Sequence, residues 1–224
     1  NSATTKYERI ILPKAWDVIR DSLVLLSHSE EGIKYFVCDF QDAFYKVPIR
    51  QEEKKYFCVK YDGQIYIWNR IGQGSLNGPT VFGRLSALVG RISQSLVSIQ
   101  EARIQIYTDD PIVTISASEE RGEQIVAMLM LLWLVLGFGL ATHKAQYGEQ
   151  VVWTGYDIKA KGKTIEASIK KSFTDDLLER TNKMMKSNLV GVRALRSYAG
   201  RANHVANVLF AWRPFMDSLW AAAS

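Results

Sequence analysis

The chain has 224 residues, of which 47% are apolar and 23% charged, with 15 Gly and 5 Pro. That composition excludes a disordered tail, a collagen-like repeat and a low-complexity segment, and the length suits one domain with closely packed subdomains. Two cysteines, Cys38 and Cys58, are too few for a disulfide framework and sit in apolar runs, so a reduced, intracellular chain is expected. The sequence opens at Asn1 without a Met and without a signal segment, as expected of a piece of a longer polypeptide.

In chain order, Pro13 is placed in the first turn of a helix carrying Trp16, Val18, Ile19, Leu23 and Leu26 on its apolar positions. Residues Ile33 to Asp39 (IKYFVCD) read as a buried strand ending at a carboxylate. The runs Lys55–Lys60 and Gln64–Trp68 alternate and meet at Asp62-Gly63, a strong hairpin signal. Gly78-Pro79 opens a helix to about Leu96. Arg103–Tyr107 and Pro111–Ser116 form a second hairpin with Thr108-Asp109-Asp110 at its tip, Pro111 being tolerable at the start of an edge strand.

A helix from about Ser118 to Leu136 follows, then a strand over Val151–Ile158, a basic hairpin around Gly162, and helices from about Thr174, Val192 and Trp212. The 17 uncharged residues Ile125–Ala141 approach the length of a membrane span. Gly137, Gly139 and the strand-like sequence beyond favour a core helix covered on both faces, and no membrane is expected. Strands and helices are interleaved with antiparallel hairpins, so the fold class is α+β.

The net charge of +5 is uneven: residues 159–224 hold 12 of the 28 Lys+Arg but only 5 of the 23 Asp+Glu. A near-neutral front with a few carboxylates joined to a basic back fits a polyanion bound beside a metal centre, although solvated lysines on helix surfaces are the better explanation of charge alone. The chemistry rests on the acids. Asp109 and Asp110 sit where two apolar strands meet the surface, and Asp39 ends another buried strand. Three carboxylates at neighbouring strand ends can hold two Mg²⁺ ions, with Mn²⁺ an alternative, because hard cations prefer oxygen. Such a pair can activate a hydroxyl and stabilise a leaving pyrophosphate.

The segments VCDFQDAFYKVPI, IGQGSLNGP, IYTDDPIV, LGFGLATHKAQ and VVWTGYDI follow one another in the order of the polymerase motifs of reverse transcriptases. Over roughly residues 7–158 the chain resembles the reverse transcriptase (RNA-directed DNA polymerase) domain of retrotransposons of the long-terminal-repeat and DIRS types. The likeness continues more weakly through LRSYAGRANHVANVLFAWRPF.

The resemblance implies a right-hand palm, an antiparallel sheet backed by helices, with partial fingers and a helical thumb. Its divisions would be residues 1–34 (N-terminal helix and a remnant of the fingers), 35–158 (palm, with a fingers insertion at about 46–70) and 159–224 (basic thumb or connection). It implies Asp39, Asp109 and Asp110 as metal ligands and, with Lys144, as the catalytic set. Asp42, Ala43, Phe44, Gln73 and Gly74 would contact the nucleotide, Phe44 by excluding a ribose 2′-hydroxyl. Tyr107, Trp153, Gly155, Tyr156, Lys170 and Lys171 would meet primer and template.

Lys159, Lys161 and Lys163, with Arg193, Arg196 and Arg201 less directly, would meet phosphates. The partners implied are an RNA template, a DNA primer, their RNA–DNA hybrid and deoxynucleoside triphosphates, within a polyprotein carrying ribonuclease H and integrase or recombinase modules elsewhere. Only Lys6 and Arg9 stand in the first dozen residues to contact a triphosphate, so the front of the fingers is expected to be missing. Two alternatives stand beside this reading. One is an RNA-dependent RNA polymerase, against which Phe44 and Tyr107-Thr108 argue; the other is a degenerate, non-catalytic remnant.

Overall fold

A computed structural model describes residues 10–187 and 189–224; Lys6 and Arg9 lie outside the described residues. Its centre is a four-stranded antiparallel sheet in the order β5-β6-β1-β8, built from β1 (Lys34–Val37), β5 (Ala102–Tyr107), β6 (Asp110–Ile115) and β8 (Gln146–Gly148). Both faces are covered, which explains the unbroken apolar run before Asp39. Phe36 and Cys38 face a core shared with Val113, Ile115 and the helices α2 (Gly78–Ser95) and α3 (Glu119–Val135). Tyr35 and Val37 point the other way, with Ile112, into a second core beneath α1 (Ala15–His28).

Side-chain hydrogen bonds pin these layers. The Trp133 indole of α3 donates to Ser93 Oγ of α2 at 2.9 Å, and Arg121 meets Glu101 through two bonds of 2.9 Å. On the opposite face the buried Asp21 of α1 accepts from Gln105 Nε2 of β5 at 2.7 Å, so its carboxylate is satisfied inside the fold. Tyr35 bonds Ser22 at 3.0 Å, and burial pushes its phenol up to about 12.

Smaller sheets surround the centre. The hairpin β3 (Cys58–Tyr61) and β4 (Gln64–Ile67) turns through Asp62 (φ 50°) and Gly63 (φ 75°), the two positive φ values a type I′ turn demands. The two-residue strands β2 (Phe40–Gln41) and β7 (Gly139–Leu140) pair with each other. Strands β9 (Gln150–Trp153), β10 (Tyr156–Lys161) and β11 (Thr164–Ile169) form a three-stranded meander. Helices α4 (Lys171–Met185), α5 (Val192–Ala206) and α6 (Arg213–Ala223) close the chain.

Several sequence expectations are corrected. Pro13 precedes the helix, which starts at Ala15, and Trp16 and Leu23 are exposed because the buried stripe runs through Ala15, Val18, Asp21, Ser22 and Leu25. Lys55 and Tyr56 belong to a 3-10 turn before β3. The strand placed over Val151–Ile158 is two strands, broken at Thr154 (φ 47°) and Gly155 (φ 85°) by another two-residue turn. Pro111 starts a strand, but not an edge: β6 lies between β5 and β1.

Helix α3 is covered on one face only. Ile125, Leu129 and Trp133 are buried, while Leu131, Leu134 and Val135 are exposed. Among the described residues no helix is long and apolar enough to cross a membrane. Both cysteines are free thiols, Cys38 buried and Cys58 exposed.

Candidate active site

Three backbone hydrogen bonds bring the acids to one corner of the central sheet. Beyond β1, the Cys38 N–H donates to the Pro111 carbonyl at 3.3 Å and the Phe40 N–H to the Asp109 carbonyl at 2.9 Å. Asp39 thus lies beside the β5–β6 turn, although about seventy residues separate the two in sequence. Its own carbonyl accepts from the Ala141 N–H at 2.9 Å, which ties in the 3-10 turn Thr142–Lys144. The Lys144 ammonium reaches Asp39 Oδ2 at 3.1 Å.

The turn carrying the paired acids is strained. Tyr107 pairs with Asp110 across the hairpin, leaving Thr108 and Asp109 as the two-residue loop, and Thr108 has φ 59°. A β-branched residue at positive φ is a conformational outlier, and such strain gathers at functional sites. From the β9–β10 turn the Trp153 indole donates to the Asp110 main-chain carbonyl at 2.9 Å.

Electrostatics follow from this crowding. Burial, then the Asp39 and Asp109 charges, push the Asp110 carboxyl up to about 7, against the downward pull of the Thr154 N–H. Asp109 is raised by burial and by Asp39, offset by its own backbone N–H and by Lys144. Two of the three acids therefore resist ionisation without a cation. The hard oxygen donors and the uncompensated charge fit a divalent metal. The ligand cage is not preassembled: among the described residues no three His, Cys, Asp or Glu side chains are arranged to hold a metal ion. Asp39 is engaged instead by Lys144, a half-exposed pair that a metal would have to displace.

The nucleotide-side residues divide. Asp42 is exposed, in the left-handed region (φ 51°) that Asp tolerates better than most residues. Phe44 is half-buried and stacks on the fully buried Phe82, ring centroids 4.7 Å apart, so its ring is held by the core. Ala43 is buried in that core. Gln73 and Gly74 are exposed at a turn where Gly74 takes φ 90°, which requires glycine or something close to it.

On the primer side, Tyr107 is 40% exposed and packs edge-on to Trp153 at 6.3 Å. Trp153 and Tyr156 are buried, 0% and 4% exposed. Both face the α1-side core because residues flanking a two-residue turn are opposite one another on the same sheet face. The tip, Thr154-Gly155, is what the turn presents outward, and Gly155 is exposed.

Lys170 and Lys171 are exposed at the start of α4, as are Lys159, Lys161 and Lys163 along β10–β11. Arg201 instead pairs with Asp176 at 2.7 Å, and Arg196 donates to the Ala223 carbonyl at 2.8 Å, so both are committed within the helical bundle. Sequence reasoning took Thr154 only as part of the Trp153-Thr154-Gly155-Tyr156 motif and missed His204, whose partner lies 48 residues away. A Thr-Gly pair between two alternating runs was the available signal for the turn.

Comparison with known proteins agrees with this geometry. A family model described as reverse transcriptase (RNA-dependent DNA polymerase) matches residues 13–158, more than half of the chain. The chain is 27% identical over 155 residues to the Gag-Pol polyprotein of Walleye dermal sarcoma virus, covering 66% of this chain and 8% of that protein. It is 22% identical over 189 residues to the Pro-Pol polyprotein of Simian foamy virus type 3 (strain LK3), covering 83% and 16%. The chain therefore spans a small part of these relatives.

Among solved structures, a foamy viral protease-reverse transcriptase in complex with RNA/DNA hybrid superposes with TM-score 0.54 at 17% identity, over 88% of this chain and 25% of that one. The same enzyme in complex with dsDNA gives 0.56 at 17% identity, over 90% and 44%. At such identity the likeness establishes the fold alone, an α+β, palm-like architecture. With the motif order, the acids gathered at one sheet corner and the family match over residues 13–158, the chain belongs to the reverse transcriptase (RNA-dependent DNA polymerase) family.

Proposed function

We propose that this chain is the catalytic part of an RNA-directed DNA polymerase, extending a DNA primer on an RNA template by two-metal nucleotidyl transfer. The observation that carries the reading is the convergence of Asp39 with Asp109 and Asp110 through the Phe40 N–H to Asp109 carbonyl bond of 2.9 Å. Asp39, Asp109 and Asp110 would hold the ions, Mg²⁺ or Mn²⁺, which when bound polarise the primer 3′-hydroxyl and offset charge on the departing pyrophosphate.

The protein's own groups do the rest. Lys144, on a short exposed turn beside Asp39, is placed to leave that carboxylate for the triphosphate and to support or protonate the pyrophosphate. Phe44, wedged on Phe82, would exclude a 2′-hydroxyl by lack of room. Gln73 and Gly74 would follow the base pair, and Gly155 at the turn tip would contact the primer through its backbone. Lys170 and Lys171 would meet phosphates without reading sequence. The domain boundaries of the sequence reading carry over as part of this proposal.

A non-catalytic remnant draws on one observation, the absence of a preassembled ligand cage among the described residues. The discriminating experiment uses a chain extended upstream of Asn1, with a primed RNA template, deoxynucleoside triphosphates and Mg²⁺ or Mn²⁺. Primer extension that is lost in Asp109→Asn supports the polymerase. No extension, or extension indifferent to Asp109→Asn, supports the remnant.

A further inference from the structure

The buried face of the β9–β10 hairpin connects the candidate metal corner to helix α5. Tyr156, opposite Trp153 in the register, stacks on the His204 ring with centroids 4.3 Å apart and planes 19° from parallel. Its hydroxyl lies 2.9 Å from the His204 carbonyl oxygen and 2.9 Å from His204 Nδ1. A phenol has one proton and a carbonyl oxygen can only accept, so Tyr156 donates to the carbonyl. The Nδ1 must then carry a proton and donate to the phenol oxygen.

Burial lowers the His204 pKa, which keeps the ring neutral, so the tautomer is Nδ1–H with Nε2 bare. That edge of the ring lies over the turn: a Cβ on Gly155 would come 3.3 Å from His204 Nε2. Phe173 of α4 backs the imidazole with ring centroids 5.0 Å apart. His204 is therefore held on one side by α4 and locked to Tyr156 on the other. From the same hairpin, Trp153 donates its indole N–H to the Asp110 carbonyl at 2.9 Å.

We infer that His204 is a positioning residue: through Tyr156 and its register partner Trp153 it holds the Asp110 main chain in place, so that the seating of helix α5 governs the geometry of the metal corner. This rests on the proposed polymerase reading for its consequence in catalysis, but not for the contact itself. A helix bundle that moves when it grasps or releases a duplex would thereby loosen or set a carboxylate at the reacting centre. The link is short: the Tyr156–His204 stack and hydrogen bonds, the Tyr156–Trp153 register pair, and the Trp153 bond to Asp110.

The test uses Tyr156→Phe, His204→Phe, their combination, and His204→Asn, whose amide N–H can replace the Nδ1–H. In the 224-residue chain without metal, exchange of the Trp153 indole N–H should quicken about tenfold in both Phe variants and recover to within about twofold in His204→Asn. The imidazole nitrogen signals of the parent should report Nδ1–H and a bare Nε2. In the upstream-extended chain, kcat should fall about tenfold while primer–template Kd and nucleotide KM stay within about twofold. The double variant should be no worse than either single.

Unchanged exchange of the Trp153 indole N–H overturns the inference, as does the opposite tautomer. Weakened primer–template binding at constant kcat also overturns it, because His204 would then be a direct nucleic-acid contact, and so do losses that multiply in the double variant. Faster Trp153 indole exchange in a protein whose parent never extends a primer leaves the positioning contact intact and removes the polymerase reading instead.

Discussion

Replacing Asp110 with Asn should stabilise the metal-free protein at the pH where the parent would work. Burial, with Asp39 and Asp109 alongside, lifts the Asp110 carboxyl from 3.8 to about 7. A carboxyl whose folded pKa exceeds its unfolded value favours folding only while protonated, so stability falls as pH rises from about 4 to about 7 and stays low above. Three units at ~1.4 kcal/mol each set an upper bound of about 4 kcal/mol, and because three acids titrate together the expected effect is about 1–3 kcal/mol.

Asn is isosteric with the carboxylate and carries no charge. In urea titrations with EDTA the parent and Asp110→Asn should coincide near pH 4, and the variant should be more stable at pH 8 by that margin. Melting temperatures should separate by about 2–4 °C per kcal/mol for a chain of this size. Adding Mg²⁺ at pH 8 should stabilise the parent and leave the variant nearly unchanged. Parallel pH profiles, or a variant less stable at pH 8, would refute the argument, because the carboxylate would then be compensated within the protein.

Other outcomes follow from the same geometry. Phe44→Ala should let ribonucleotides in, narrowing the preference for deoxynucleotides by about 10–100-fold in competitive primer extension, with some loss of stability because the ring leaves Phe82. Thr108→Gly should relieve the positive φ and raise thermal stability by about 1 kcal/mol in calorimetry, with no gain in turnover. Lys170→Ser with Lys171→Ser should weaken hybrid binding alike for all sequences and flatten the log Kd against log salt slope by about 1 per lysine. Trp133→Phe should cost about 1–3 kcal/mol in chemical denaturation, since it empties space in the core and removes the bond to Ser93.

Features written in a few adjacent residues were legible from the chain alone. Asp62-Gly63 specifies its turn because both positions need positive φ. Ser118 followed by two acids starts α3, its hydroxyl accepting the Arg121 N–H. The ordered motifs named the family, and the apolar run into Asp39 announced a doubly covered strand. Tertiary structure decided what depends on partners distant in sequence. Asp39 meets Asp109 only because β1 lies beside β6, Trp153 and Tyr156 turn inward because α1 and α5 cover that hairpin, and Arg201 is spent on Asp176. Periodicity records that a side chain is apolar and how often it recurs, whereas burial, charge compensation and the direction a ring faces arise from neighbours that the fold alone supplies.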